Sequence, residues 1–374
     1  MMGIAMRRGM ATRRFGRSAA FVTALALAAG SAAACSSSGS TSAGGGDSSG
    51  SLKDTLENIH AVAQTSDYIE YGATAQVAKL AGGTKPATGG PFTQLQGIGA
   101  EQLFQYWALL PPLTGFDSTT VTSAVTVGNP PNAVGVLYGS FDPAAIGAKL
   151  AAWGYKKQDR GGGVTAWISN DDHKFDATKL DPTTGVGPGM TGWLNVIWVS
   201  NTSIAYGGAT SDLAAALPAQ SKPLSSDNVL SSLADCLGSP LGAMVLTDPK
   251  TIGNSAATAI AFGVTASNAS DAQEEICVAA SDAAGAKTIA TAFTKAVTTG
   301  TDLVQNNPWS KELTAPQTDV LGGSAHVVRL SATSANQQPG LVFRLVTEDN
   351  FGTLLGWPFQ LQGRPSPSAT DSPS

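Results

Sequence analysis

Hydrophobic positions along this chain recur with two periods, and each period marks a type of element. Val121, Ser123, Val125 and Val127 alternate with Thr122, Ala124 and Thr126, the period-two pattern of a strand. Asn129-Pro130-Pro131-Asn132 supplies a turn, and 134–141 reads as the returning strand. Asp142 can then cap a helix, with Pro143 in its first turn and Gly154 at its end. Ile146, Leu150 and Trp153 share one face of that helix, so it should pack on a sheet. Ile289, Phe293 and Val297 do the same within a helix expected over 282–298.

The same reading places further strands at 67–71, 164–169, 193–200 and 203–206, with helices at 52–63, 73–80, 100–110 and 210–217. Past a linker at 218–226 the order starts again. A helix at 227–237 leads to strands at 241–247, 258–266 and 274–280. The helix 282–298 follows, then strands at 325–331 and 341–346 and a helix near 349–356. The expected fold is α+β, with two similar halves, 52–217 and 227–358. Each would be a mostly antiparallel sheet with helices packed on one face. Residues 359–374 are Pro- and Ser-rich and should form a disordered tail.

The first fifty residues follow a different logic. Residues 1–34 hold Arg7, Arg8, Arg13, Arg14 and Arg17 and no acid, followed by the apolar run 19–29. That run is too short to span a bilayer but fits the core of a secretory signal peptide. Gly30-Ser31-Ala32-Ala33-Ala34 then leads to Cys35, and 36–51 is almost entirely Ser, Gly and Thr. This arrangement resembles the secreted lipoproteins of high-GC, actinomycete-type bacteria. The resemblance covers residues 1–51 and the overall composition. It implies cleavage before Cys35, acylation of that cysteine, and attachment to the outer face of the cell membrane. An ordinary signal-peptidase site at the same bond would leave Cys35 a free thiol. The Ser/Gly tether would hold the body about 20 Å from the surface. Thr12-Arg13-Arg14-Phe15 approaches a twin-arginine signal, but the apolar residue stands one place early, which leaves the Sec and twin-arginine routes both open.

Composition narrows the partners. Only 13% of residues are charged, against 42% hydrophobic, so Ser, Thr, Asn and Gly must finish the surface. Losing the five leader arginines takes the basic count from 22 to 17 against 27 acids, a net charge of −10. Such a body binds no nucleic acid through its field and is repelled by anionic lipid head groups. The membrane partner is therefore reached through the lipid. If Cys35 is acylated, Cys236 and Cys277 remain as an even pair and are expected to form a disulfide.

Candidate chemistry is sparse. The sequence contains no H-E-x-x-H, C-x-x-C, G-x-S-x-G or S-x-x-K, so no catalytic residues, metal ligands or cofactors are assigned. Asp171, Asp172, His173, Asp176 and Asp181 share one polar loop, where carboxylates could hold Ca²⁺ or simply be solvated. His60 and His326 read as structural, and Gly97, Gly99 and Gly285 as loop or helix-end glycines. Of seven Trp, Trp193 and Trp309 lie beside loops and are expected to be the more exposed. The function expected is non-catalytic binding or scaffolding in the cell envelope, with ligand unknown. The alternatives are a solute-binding lipoprotein of a transporter and a secreted hydrolase with an unrecognised site. The loops 82–97 and 170–192 are the expected contact surfaces.

Overall fold

A computed structural model describes residues 51–361 apart from 84–89, 182–184, 218–221 and 336–337. The expected signal peptide, Cys35 with most of its tether, and most of the 359–374 tail lie outside the described residues. Twelve of the period-two and edge segments pair into one sheet. They are β1 (Tyr68–Gly72), β2 (Val121–Val127), β3 (Val134–Gly139), β4 (Lys156–Gly161), β5 (Val164–Ile168) and β6 (Val196–Val199), then β7 (Ser203–Gly207), β8 (Gly242–Leu246), β9 (Ala257–Thr265), β10 (Gln273–Ala280), β11 (Leu313–Val320) and β12 (Val327–Ser334). Their order across the sheet is β11-β12-β10-β9-β8-β1-β2-β3-β7-β6-β5-β4, and every pair is antiparallel. The class is therefore α+β. The sheet runs unbroken through both halves, because β1 and β8 pair at its centre from Tyr68↔Leu246 to Gly72↔Gly242. Outward from that pair, each side has two further strands in hairpin order, a long helix, and a returning strand, β7 or β12, beside the third.

Register sorts the side chains. The row Trp198–Ala205–Val136–Val125–Tyr71–Ala243 lies on one face. The row Ile197–Tyr206–Gly135–Thr126–Glu70–Met244–Phe262–Ile276 lies on the other. Helices Pro143–Ala152 and Ala283–Thr299 both cover the second face, through Ile146 and Leu150 against Tyr206, and Ile289 and Phe293 among the residues around Phe262. Helices Leu52–Leu56, Thr210–Ala216 and Asn228–Leu237 cover the first. The expectation of helices on one face is thus corrected. The central strands are apolar on both faces, and a bare face of Ile69, Tyr71, Val125 and Val245 would leave a large area in water. Gly135 shows how tight the second face is, since a Cβ there would stand 2.0 Å from Cζ of the fully buried Tyr206.

Several elements differ from expectation for identifiable reasons. The first helix stops at Leu56, because Ile59–Ala61 turn to bond with Lys222–Leu224. Leu224, within the expected linker, is fully buried, while Lys222 and Ser226 are exposed. The 100–110 helix divides into Glu101–Phe104 and Leu110–Thr114, and the prolines sit in the first turn of the second piece, where their missing N–H costs nothing. The expected strand 341–346 is the helix Leu341–Thr347, since an unbroken apolar run suits either element. β4 and β11 are polar edge strands that alternation could not reveal.

Buried acids give the body a pH signature, and Glu275 is one of them. Glu275 in β10 is nearly enclosed, and its Oε2 has no hydrogen-bond partner. Burial raises its pKa to about 7, opposed by the charge of Arg329 and assisted by Asp319. The folded value exceeds the unfolded one, so the native state binds the proton more tightly. Stability should be greatest below the ordinary glutamate range and should fall as the pH rises to about 7 and the acid ionises. Chemical melts should show a loss of roughly 1–3 kcal/mol between pH 4.5 and 7 that is clearly smaller in Glu275→Gln. A flat profile in the parent chain would reject the assignment.

Candidate functional site

The faces of the sheet are not equally covered. Beyond β2, among the described residues, the helix Thr210–Ala216 and the segment around Asn58 border the first face and leave a groove above β3, β7, β6 and β5. The groove has a volume of about 740 Å³ and is lined by Asn58, Val136, Tyr138, Arg160, Val164, Trp198, Ala205 and Leu217, among others. Its floor follows from register. Val136 and Tyr138 are two apart on β3 and share a face, and Ala205 bridges Val136 to Trp198. Arg160 arrives from the irregularity between Asp159 and Gly161, where β4 departs from simple pairing with β5. That departure carries the guanidinium to 4.1 Å from the centroid of the Trp198 ring.

Two polar atoms beneath this groove are unpartnered. Trp198 Nε1 and Tyr138 Oη are both buried and have no hydrogen-bond partner. Burial pushes the Tyr138 phenol far above its ordinary pKa, so it remains a protonated donor at physiological pH. By contrast, the neighbouring hydroxyls are spent on their own turn. Ser200 Oγ and Ser203 Oγ lie 2.9 Å apart, and the backbone N–H groups of Thr202 and Ser203 donate to Ser200 Oγ. Both atoms are closed off from solvent, so what the groove presents is its apolar floor and the exposed cation of Arg160. Sequence reading missed this site. Trp198 sits in a strand pattern and Tyr138 and Arg160 match no motif, because three strands distant in sequence build the site.

A second cavity of about 350 Å³ lies between the helix Thr74–Leu80 and the segment 95–107, lined by Val77, Leu95, Phe104, Trp107 and Val121. It is mainly apolar. Part of the expected contact loop 82–97 borders it through Gly83, Leu95, Gln96 and Gly97.

The singled-out residues have structural work. Cys236 and Cys277 form a disulfide that joins the helix Asn228–Leu237 to β10. Asp172 accepts from the backbone N–H of Thr210 and Ser211 at the start of the helix 210–216, and Asp176 accepts from Thr178. These carboxylates thus serve turns and a helix end, and among the described residues no group of three His, Cys, Asp or Glu is placed to hold a metal ion. His173 Nε2 lies 3.5 Å from Asp212 Oδ2, with burial raising the Asp212 pKa against the pull of His173. Around this pair, Pro130, Pro131, Phe175 and Trp193 line a shallow hollow of about 450 Å³. His60 Nδ1 meets the Ala215 carbonyl at 3.0 Å, a structural contact. Trp193 is half-buried, but Trp309 is fully enclosed and corrects the expectation of exposure. Gly99 is left-handed and its N–H donates to Glu70 Oε1 at 2.6 Å, a loop role as expected.

The chain matches no protein-family model and no curated protein. Among solved structures, three crystal forms of TP0453 are similar at 9–11% identity with TM-scores of 0.33–0.34, over 73–75% of this chain and 91–94% of that one. That similarity is too low to bear on function.

Proposed function

We propose that this chain is a lipid-anchored protein of the cell envelope whose body holds a ligand in the Tyr138–Trp198 groove without covalent chemistry. The observation that carries this reading is the groove itself, about 740 Å³ over the apolar side chains of Val136, Val164, Ala205 and Leu217, with the exposed cation of Arg160 at its edge. A concave site with an apolar floor and a few polar groups is the usual form of a small-molecule pocket. The address is supported by the leader 1–34, the small residues before Cys35, and the Ser/Gly tether. It is supported independently by a disulfide, which persists in oxidising compartments. Anchoring near a surface raises the local concentration of a binder at little cost.

Expressed in an actinobacterial host, the protein should partition into the detergent phase, and Cys35→Ala should release it to the medium. An unmodified, soluble N-terminus at Cys35 would remove the anchor from this proposal. The all-antiparallel order argues against the alternating βα lobes of transporter receptors. A hydrolase reading draws on the His173–Asp212 pair. Screening the exported chain against ester, peptide and glycoside substrates tests it, and turnover lost in His173→Asn would replace the binding reading.

A further inference from the structure

We propose that the hairpin Thr301–Pro308 dips Leu303 and Val304 into the surface of a neutral lipid bilayer, as a second point of attachment beside the N-terminal lipid. The inference rests on the anchored reading above and adds the face by which the body meets the membrane. Leu303 and Val304 are 71% and 53% exposed. Among the described residues Phe175 and Val320 are the other large apolar side chains that stand in water, and each of those is isolated in sequence. Single exposed apolar residues need no explanation, but an adjacent pair at the tip of a hairpin does. The tip is held out by buried chemistry. Thr301 and Asp302 pair with Pro308 and Asn307. Asp302 is fully buried, and its Oδ1 accepts from the backbone N–H groups of Val304 and Gln305 at 2.8 and 2.9 Å and from Asn350 Nδ2 at 2.7 Å. Its Oδ2 accepts from Arg344 Nη2 at 2.9 Å. Directly after the hairpin Trp309 is enclosed in the core, and its N–H donates to the Gly300 carbonyl.

A tip fixed in this way loses little freedom on docking, and a bilayer gives its two aliphatic side chains the burial they lack in water. Charge selects the occupant. Residues 303–308 carry none. The acids behind the tip, Asp302, Glu312 and Glu348, all pair with Arg344, and the exposed Asp349 lines a separate hollow with Lys250. Lys295 and Lys311 are exposed on the helices Ala283–Thr299 and Trp309–Glu312, before and after the hairpin. On a chain with excess acid, this tip therefore meets lipid head groups with lysines nearby and no unpaired carboxylate in the network behind it. Gln305 and Asn306 are exposed and uncharged, which suits the head-group zone. Two aliphatic side chains bind a membrane weakly by themselves. A flexible tether that already holds the chain at the surface makes their contact a local event.

The test uses the exported chain with Cys35→Ala and an N-terminal hexahistidine tag, held on phosphatidylcholine vesicles by a nickel-chelating lipid. The contact is then read independently of acylation. With Cys236 and Cys277 bridged, Val304→Cys supplies a single free thiol for an environment-sensitive nitrobenzoxadiazole label. Its emission should brighten severalfold and shift to the blue on vesicles, and nitroxide-labelled acyl chains should quench it. The same label at Lys157→Cys, exposed on β4, should stay as it is in water. Adding Leu303→Ser should remove at least about half of the gain at 304, with unaltered circular dichroism because the side chain packs on nothing. A label at 304 that behaves on vesicles like the label at 157 would overturn the insertion. Brightening without vesicles as the protein concentration rises would also overturn it, and would identify a second copy as the occupant. Detergent partition of the untagged chain reads the anchor at Cys35 separately, so failure of the anchor and failure of the hairpin are told apart.

Discussion

Breaking the Cys236–Cys277 bridge should lower the unfolding free energy by about 4 kcal/mol, the chain-entropy value for a loop of its length. The sequence separation is 41, so the open chain regains a large set of conformations that the bridge removes. Position adds to this. Cys277 lies at zero exposure in β10, between Ala261 of β9 and Arg329 of β12, while Cys236 is in the last turn of the helix Asn228–Leu237. The bridge therefore ties cover to sheet on the face where Leu230, Leu233 and Leu237 pack against Ala259 and Ala261. Urea unfolding with and without a phosphine reductant, and of the Cys236→Ala/Cys277→Ala chain, measures the effect. A midpoint unchanged in both would show that the bridge adds no stability. Cys236→Ala alone should also leave one thiol titratable in denaturant, where the parent chain shows none at these two positions.

Replacing Glu274 with Ala should cost a comparable amount, about 3–5 kcal/mol, for a different reason. Glu274 is a buried acid in β10 whose carboxylate accepts from Ser334 Oγ at 2.7 Å and from the backbone N–H groups of Gly340, Leu341 and Val342 at 2.8, 3.1 and 3.1 Å. Those N–H groups open the helix Leu341–Thr347, and they have no intrahelical acceptor. Alanine would strand three buried donors and leave a cavity under the helix. Burial raises the Glu274 pKa while Ser334 and the three N–H groups lower it, with a net rise. Glu274→Gln keeps one acceptor oxygen but turns an amide N–H₂ toward other donors, so its loss should be intermediate. Urea melts of the two variants would measure both losses. Equal stability of the parent chain and Glu274→Ala would show that the helix is held by its apolar side alone.

The same carboxylate explains why this helix was not legible in the sequence. Leu341-Val342-Phe343-Arg344-Leu345-Val346 satisfies strand and helix patterns alike. The deciding group is a side chain 66 to 68 residues earlier. β4, Lys156–Gly161, was equally hidden, since all six residues are exposed and carry no alternation. Yet β4 delivers Arg160 to the groove. The candidate site was thus the least readable part of the molecule, because Tyr138, Arg160 and Trp198 become neighbours only through the β3–β7–β6–β5–β4 order.

Local chemistry did specify much else. Asp142 accepts from the N–H groups of Ala144 and Ala145 at the head of the helix Pro143–Ala152, as its place before Pro143 implied. The alternation of 121–127 became β2 over those very residues. Cysteine count foretold the bridge, because setting Cys35 aside leaves only Cys236 and Cys277 to pair. Such features depend on neighbours within a few residues or on simple counting, and sequence alone determined them. The β1–β8 junction that merges both halves into one sheet, the second layer of helices and the groove left open between them were decided by tertiary structure. They arise from which apolar faces meet, a competition among distant segments that no local pattern records.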